Sequence, residues 1–594
     1  MTETRYRLRA IRNLRALLSL AIACLSVLVI TSTLGAAPAY PVKVGPTGRY
    51  LVDQNGVPFL IVGDSPQAMA GRLSEADAEL FFANRQARGF NTVWINLLCA
   101  SYIGCNSDGS TFDGIPPFNV PGDLTTPNEA YFARVDAILR TAASYGLLVI
   151  LNPAETGDWL AVLYANGEDN CRAYGQFLGQ RYAGFDNILW MHGNDYQEWG
   201  PDPDRFTTAL ARGIRDVDSR HLHTVELNFF VSSSTDDPAW QPIIDLNAAY
   251  SSYEPVYAEV LKDYNRGDVP VFLVESGYEF EVSDPRTVRA QAYEALLSGA
   301  TGHLYGNHYA WQFLDGWQDT LESPGTMQVG YFAALVQSRP WYDLVPDQDH
   351  ALVTSGVGDF GTPDYVTAAR TPDGRLAIAY VPTSRTITVD LGRLGTPATA
   401  RWYDPASGTF MTISDSLANS GVVDFTTPGT NSVGAEDWVL VLETGAPPTP
   451  PPPPQPPSSF VELTIDFDTY ARGDQLDVFL KAFNSTGQAG RELYTGVVLP
   501  DGQTVVYFTG SNVIGGVTRV GALGDLRPLA LVGPGELVMH ADANPVLAGR
   551  IPEGAPPGVY TWFALLVAPG ALADSSFDPR EVDIVAVRPI SLLP

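Results

Sequence analysis

Eight short apolar runs of β type recur along the first half of the chain, and helical patterns separate most of them. The runs are Phe59-Leu-Ile-Val-Gly-Asp64, Thr92–Leu97, Leu147–Asn152, Ile188–His192, His223–Leu227, Ile243–Asn247, Val271–Glu275 and Gly302–Gly306. Strands this apolar have no face to give to water, so each must be covered on both sides. Ser74-Glu-Ala-Asp77 reads as a capping-box-like helix start, with Leu80, Phe81, Asn84 and Ala87 following at helical spacing. Further helical patterns span Tyr131–Tyr145, Asn170–Tyr182, Asp204–Asp216, Val256–Tyr264 and Arg286–Leu297. Strands alternating with helices mean parallel βαβ units. Eight units in about 290 residues point to a closed (β/α)8 TIM barrel rather than an open doubly wound sheet. No G-x-G-x-x-G turn follows the first strand, which weakens a dinucleotide-binding fold.

The flanks read differently. Arg5, Arg7, Arg9, Arg12 and Arg15 precede an apolar stretch, Leu17–Ile30, and Ala37-Pro-Ala39 has the pattern of a signal-peptide cleavage site. A retained membrane anchor and a lipid anchor on Cys24 are the competing readings. Ala21-Ile-Ala-Cys24 is a poor lipobox, and the small residues around Pro38 favour cleavage and a secreted protein. No later segment has the ~20 unbroken apolar residues of a spanning helix, so no retained membrane span is expected. From about His350 short strands alternate with Pro, Gly and Asp turns, the texture of a β-sandwich. Pro447–Pro457 is almost pure proline, a stiff spacer, and strand-and-turn sequence resumes beyond it as a second sandwich. The expected order is therefore a leader (1–39), a barrel (40–349), a sandwich (350–444), a linker (445–459) and a second sandwich (460–594). The net charge of −30 argues against a nucleic-acid partner, which needs basic surface. Without the leader, the cysteines are Cys99, Cys105 and Cys171. Export permits a disulfide, Cys99 and Cys105 are close enough in sequence to form one, and Cys171 is then the odd thiol.

Two runs end in carboxylates: Asn187-Ile-Leu-Trp-Met-His-Gly-Asn-Asp195 and Val271-Phe-Leu-Val-Glu-Ser-Gly277. In a parallel barrel the strand ends converge on one face, so Asp195 on the fourth strand and Glu275 on the seventh meet there. Two carboxyls meeting at one face can cleave a glycosidic bond: one protonates the leaving oxygen, the other attacks or activates water. Asn194 is placed to hydrogen-bond a sugar hydroxyl. Asp64, Asn96, Asn152, Glu155, His192 and His308 lie at or near other strand ends and are candidate sugar contacts; each serves equally as a satisfied core polar group. Tyr278 and Trp311, with Trp159 and Tyr309, fall in loops expected on the same face, where aromatic rings stack on sugar rings or simply pack the loops. Glu198 and Asp158 are rival acids set further from their strands. The histidines show no H-E-x-x-H or similar metal spacing, there is no Gly-x-Ser-x-Gly elbow, and no cofactor is expected.

The barrel resembles the apiosidase-like glycoside hydrolase family over roughly Val42–Tyr342. The resemblance rests on Arg49-Tyr-Leu-Val-Asp-Gln-Asn-Gly56, Phe59-Leu-Ile-Val-Gly-Asp64, Gly89-Phe-Asn-Thr-Val93, His192-Gly-Asn-Asp195 and Val274-Glu-Ser-Gly277. It implies a retaining enzyme with Asp195 as acid/base and Glu275 as nucleophile, acting on apiose-containing pectic side chains. It also implies that the sandwich after the barrel, through Trp402-Tyr-Asp-Pro-Ala-Ser-Gly408, is the small module that carries a collagen-binding label. Related barrels usually carry Asn-Glu where this chain has Asn194-Asp195, and one methylene less changes the carboxyl separation: ~5–5.5 Å means retention and ~6.5–9.5 Å inversion. The expected protein is thus a secreted glycoside hydrolase of a polysaccharide or glycan, its C-terminal domain attaching it to polysaccharide or a cell surface. The reading from another class is a non-catalytic glycan-binding or adhesion protein on a barrel scaffold.

Overall fold

A computed structural model of the chain describes residues 38–445, apart from 100, 253–254 and 268. Within 460–593 it describes all but 466–468, 484–489, 502–503, 510–516, 522–527, 533–536, 541–546, 553 and 568–581. The expected leader up to residue 37 and the proline-rich linker lie outside the described residues.

The barrel strands are β1 (Ile61–Asp64), β2 (Thr92–Asn96), β3 (Leu148–Asn152), β4 (Ile188–Tyr196), β5 (His223–Leu227), β6 (Asn247–Ser251), β7 (Val271–Ser276) and β8 (Gly302–Tyr305). They pair in parallel in the order 5-4-3-2-1-8-7-6. The outer layer is α1 (Glu75–Ala87), α2 (Glu129–Ser144), α3 (Trp159–Tyr182), α4 (Pro201–Val217), α5 (Tyr257–Arg266), α6 (Pro285–Leu297) and α7 (Pro324–Gln337). Ser74 caps α1 by accepting the Asp77 N–H, as the capping pattern implied.

Alternation sorts the strand side chains. Ile61, Trp94, Ile150, Leu189, Met191, Phe272, Val274 and Leu304 fill the barrel, and Val42, Leu51 and Phe59 of the N-terminal hairpin join them at the strand-start end. Val93, Ile95, Val149, Leu151 and Trp190 face the helices instead. Between β5 and β6 the join is made differently. The strand Val231–Ser233 adds antiparallel to β6, and the Ser234 hydroxyl donates to the Val225 carbonyl while accepting the Ala248 N–H at 2.8 Å. Lower down, the Asp245 and Leu246 N–H groups both reach the His223 carbonyl.

Two expectations shift. The sixth strand is Asn247–Ser251, not Ile243–Asn247: Ile243 and Ile244 pack with Trp240, Tyr196 and Val225 in a buried connector, so their apolarity serves the connector and not a strand. Helix α3 begins at Trp159, ahead of Asn170, and continues through a break at Gly167, whose φ is +77°.

The sandwich after the barrel has a six-stranded sheet that opens with Val345–Pro346, a few residues ahead of the expected boundary, and a three-stranded sheet, 353–355, 386–390 and 422–426. It shares one apolar core with the barrel's outer layer: Ile378, Tyr380, Tyr403, Val439 and Val441 lie with Tyr293, Leu296, Phe332 and Val336. Tyr293 and Tyr380 stack at 5.4 Å, and the Tyr403 hydroxyl donates to the Tyr331 carbonyl at 2.9 Å. At the centre Arg289 of α6 grips Asp437 with two N–H donors, at 2.7 and 2.6 Å, and both side chains are buried. Asp437 also accepts from Tyr380 and Asn431. The C-terminal strands form two facing sheets around Val478, Leu480, Trp562 and Ala564. Among the described residues no helix is long and apolar enough to cross a membrane.

Removing one member of a buried ion pair leaves the other charge without a partner and costs about 3–5 kcal/mol. Asp437→Ala is therefore expected to lower the unfolding free energy of the barrel by that amount, measured by urea denaturation followed at the tryptophans. A loss under about 1 kcal/mol, the worth of an exposed pair, would show that this contact does not join the two domains.

Candidate active site

Simple alternation along β4 and β7 does not aim Asp195 and Glu275; two bulges do. On β7, Phe272 and Val274 point into the barrel while Val271 and Leu273 face α5 and α6. Glu275 would follow the outward set. The β6–β7 ladder slips here, pairing Ala249 with Leu273 but Tyr250 with Glu275, and the extra residue turns Glu275 into the mouth. On β4 the register with β5 shifts between Gly193 and Tyr196, and three residues running, Gly193, Asn194 and Asp195, have φ of +92°, +81° and +46°. Asn and Asp tolerate this left-handed region better than other side chains. Gly193 is obligatory: a Cβ there would lie 2.0 Å from the Glu226 carbonyl oxygen.

The bulges open onto one cavity of about 260 Å3, lined by Asn194, Asp195, Tyr250, Glu275, Tyr278 and Trp311, with Gln67, Tyr102, Phe229 and Glu281 around them. Polar bonds hold its wall. Asn96 accepts from the Trp94 indole at 3.0 Å and donates to the Asn194 side chain at 2.7 Å. Asn152 donates to the Gly193 carbonyl at 3.0 Å, and the Thr156 hydroxyl to the Asn194 carbonyl at 3.1 Å. Gln67 donates to the Tyr278 hydroxyl at 2.9 Å. The Tyr250 hydroxyl is within hydrogen-bonding reach of both Asp195 and Glu275.

A third carboxyl, Glu226 of β5, joins them. It is fully buried, accepts the Asp195 N–H at 3.2 Å, and lies within hydrogen-bonding reach of Glu275. Burial pushes the Asp195 carboxyl up to about 6, with Tyr250 pulling it back and Glu281 adding to the rise. Burial also raises Glu275, and the Asp195 charge raises it further. Glu226 is raised most, by burial and then by the charges of Glu275 and Asp195. Three acids with buried carboxyls at one mouth thus favour retaining protons. Sequence reasoning passed over Glu226, although a glutamate inside His223-Thr-Val-Glu-Leu227 is itself the signal: an acid has no reason to sit in a buried strand without a task.

Several candidates lie elsewhere. Asp64 does not reach the cavity; its carboxylate is spent on the buried Arg85 guanidinium of α1 and on the Ser65 N–H. Asn96 and Asn152 act behind the wall, holding the β4 bulge rather than lining the cavity. His192 faces outward, its ring stacked on His223 and against Trp240 with Nε2 3.1 Å from His223 Nδ1. His308 stands on the rim, 4.0 Å from Glu281, outside the lining. Asn194, Tyr278 and Trp311 do line the cavity, and the Trp311 indole N–H is buried there without a hydrogen-bond partner. Trp159 is a helix residue whose indole donates to the Cys99 carbonyl. Glu155 caps the start of α3, accepting the Gly157 and Asp158 N–H groups. Asp158 accepts from Ser101, and Glu198 is exposed. Cys99 and Cys105 are joined by a disulfide with Cα atoms 5.8 Å apart, and Cys171 is a buried free thiol.

Comparison with known families and structures matches both the barrel and the sandwich after it. The model of the family described as "Apiosidase-like, catalytic domain" matches residues 46–343, and that described as "Putative collagen-binding domain of a collagenase" matches 345–443. A solved glycoside hydrolase superposes with a TM-score of 0.60 at 25% identity, covering 68% of this chain and 97% of its own. A glycoside hydrolase family 5 structure from Bacteroides vulgatus ATCC 8482 has the same TM-score at 24% identity, covering 68% of this chain and 93% of its own, and shares the fold. Comparison with curated proteins gives no match.

Gly193→Ala tests the β4 bulge. A side chain held at positive φ costs about 1–2 kcal/mol and a packing clash about 1–3 more. The variant is expected to lose about 2–5 kcal/mol in urea unfolding. The control, Gly184→Ala, whose Cβ would meet nothing within 4 Å, is expected to change stability by less than about 0.5 kcal/mol. Equal behaviour of the two would show that the bulge is relaxed and that Gly193 is replaceable.

Proposed function

The chain belongs to the apiosidase-like catalytic family and is a glycosidase, and from that premise we propose that it is exported and cleaves polysaccharide O-glycosidic bonds by double displacement. Glu275 attacks the anomeric carbon while Asp195 protonates the leaving oxygen; Asp195 then takes a proton from the water that releases the sugar. The observation that carries this reading is the Tyr250 hydroxyl, within reach of both carboxyls. A hydroxyl that acts on both carboxyls supports the close spacing of the retaining class over the wider spacing that admits a water.

The electrostatics suit Asp195 as the acid. A general acid works best when its pKa lies near the working pH, and burial brings Asp195 to about 6. Burial and the Asp195 charge push Glu275 up to about 8, above Asp195, and hydrogen bonds from Tyr278 and Tyr250 to its ionised form offset part of that rise. The Trp311 indole and the Asn194 side chain are the polar groups offered to the sugar. Apiose-containing pectic side chains are the leading substrate class, supported by family membership alone. The C-terminal sandwich is the candidate for attachment to polysaccharide or a cell surface, and export is supported by the basic, apolar and small-residue order of the first 39 residues.

A panel of plant and microbial polysaccharides identifies the substrate, and proton NMR of the first-formed anomer reads retention or inversion. Asp195→Ala is expected to lose about 10²–10⁴-fold on substrates with poor leaving groups, and on activated aryl glycosides to recover when azide takes the place of base-activated water. Glu275→Gln is expected to lose turnover on every substrate, with no recovery. Inversion in the wild type, or a glycosyl azide of inverted configuration from the Asp195 variant, would overturn the assignment. Because the acid must hold its proton for the first step, kcat/KM is expected to fall as pH rises through about 6. An alkaline limb above about pH 8 would point to a different acid.

A further inference from the structure

Resting on the roles given above to Asp195 and Glu275, we infer that Glu226 is a positioning residue that carries a proton. As a neutral carboxylic acid it donates one hydrogen bond to Glu275 and accepts the Asp195 N–H with its other oxygen, so that one side chain places both working groups.

The geometry leads there by accounting for donors. Oε2 of Glu226 is occupied by the Asp195 N–H at 3.2 Å. Oε1 of Glu226 and Oε2 of Glu275 are both buried, and neither has a hydrogen-bond partner when both groups are written as carboxylates. Two ionised carboxyls have only acceptors to offer each other, whereas one proton between them turns the contact into a hydrogen bond. The groups acting on this pair from the surrounding elements are Asp195 on β4, Tyr250 on β6, Tyr278 beyond β7 and Tyr102 beyond β2, and none is a cation. A second full negative charge beside Glu275 would therefore have nothing to balance it. Glu275 also has two phenol donors within reach, while Glu226 has a single backbone N–H, so the proton rests on Glu226. The bulge completes the device. The close approach of Gly193 to the Glu226 backbone fixes β4 against β5 at the point where the Asp195 N–H turns toward the Glu226 side chain.

Glu226→Gln keeps the shape, the neutral charge, one donor and one acceptor; Glu226→Ala removes them. On any glycoside the wild type turns over, the Gln variant is expected to keep kcat/KM within about 10-fold, with the alkaline limb of its pH profile unmoved. The Ala variant is expected to lose about 10²–10³-fold in kcat, the cost of one aimed donor, with KM little changed. Gln falling as far as Ala would show that Glu226 acts through its charge or transfers a proton itself. Full activity of the Ala variant would show that it positions nothing. An alkaline limb shifted down by a unit or more in the Gln variant would show that Glu226 is ionised and had been raising Asp195. Infrared spectroscopy answers the protonation question without turnover: at pH 7 the wild type is expected to show one more protonated-carboxyl carbonyl band than the Gln variant. Identical bands overturn the inference even if the enzyme is active. A missing band in the Gln variant upholds the proton on Glu226 even if no glycoside on the panel is cleaved, which would be a failure of the glycosidase mechanism alone.

Discussion

Three acids brought together out of water cannot all be ionised, and the wall around Asp195, Glu226 and Glu275 is built to hold them at that spacing. A barrel of parallel strands suits the purpose. Its interior is filled by Leu189, Met191, Phe272, Val274 and their neighbours, so the strands cannot drift apart to relieve the strain at their ends. Where the acids stand, the ladder abandons regular pairing twice, and the irregularity on β4 is tied down by buried amides and a hydroxyl. Asn96, Asn152 and Thr156 are hydrogen-bonded into the β4 bulge from β2, β3 and the loop beyond β3. The polar residues nearest the cavity are thus mostly builders, and the groups that face a ligand are few: Asp195, Glu275, the Asn194 side chain, the Trp311 indole and the tyrosine hydroxyls.

The sandwich extends the same logic outward. Helices α6 and α7 cover β7 and β8, and the outer sides of these helices are themselves apolar, as Leu296, Phe332 and Val336 show. Without the sandwich that surface would face water. The apolar contact supplies area and the Arg289–Asp437 pair supplies orientation, since a planar guanidinium gripping a carboxylate with two parallel bonds admits one angle of approach. Arg339 repeats the device from the end of α7, meeting Glu443, which also receives Arg401 of the sandwich at 2.7 Å. The wall of the barrel that bears Glu275 is therefore backed by a second domain.

Much of this was legible in the residues. Eight apolar runs separated by helical periods led to the barrel, and the turn-rich second half to sandwiches, because both signals come from burial periodicity, which tertiary context rarely reverses. What periodicity misread were the places where pairing is irregular. Ile243 and Ile244 were taken into a strand because a buried connector is as apolar as a buried strand. Alternation along β7 sends Glu275 outward; only the slipped register turns it in, and a slip leaves no mark on a single sequence unless glycine betrays it. Gly193 does so on β4, before Asn194 and Asp195, two residues that accept a left-handed backbone. Asp64 and His192 misled for the opposite reason: a polar residue near a strand end has a second way to be satisfied, through Arg85 or through His223 and Trp240, and the partners are set by distant parts of the chain. Glu226 was the more informative residue, since nothing in its own segment could neutralise it.

The Ser234 hydroxyl holds together the one stretch of the barrel wall described above where a strand-to-strand ladder gives way to side-chain stitching. Glu226 lies on one side of that stitch and Tyr250 on the other. A fluctuation that unfastens Ser234 loosens this side of the cylinder without breaking a run of backbone pairs between β5 and β6. The pocket is thereby built across the hinge of its own container. Whatever loosens the seam, whether heat, denaturant or a bulky substrate pressing from above, disturbs the spacing of the acids before the barrel itself comes apart, and loss of chemistry becomes an early sign of loss of fold.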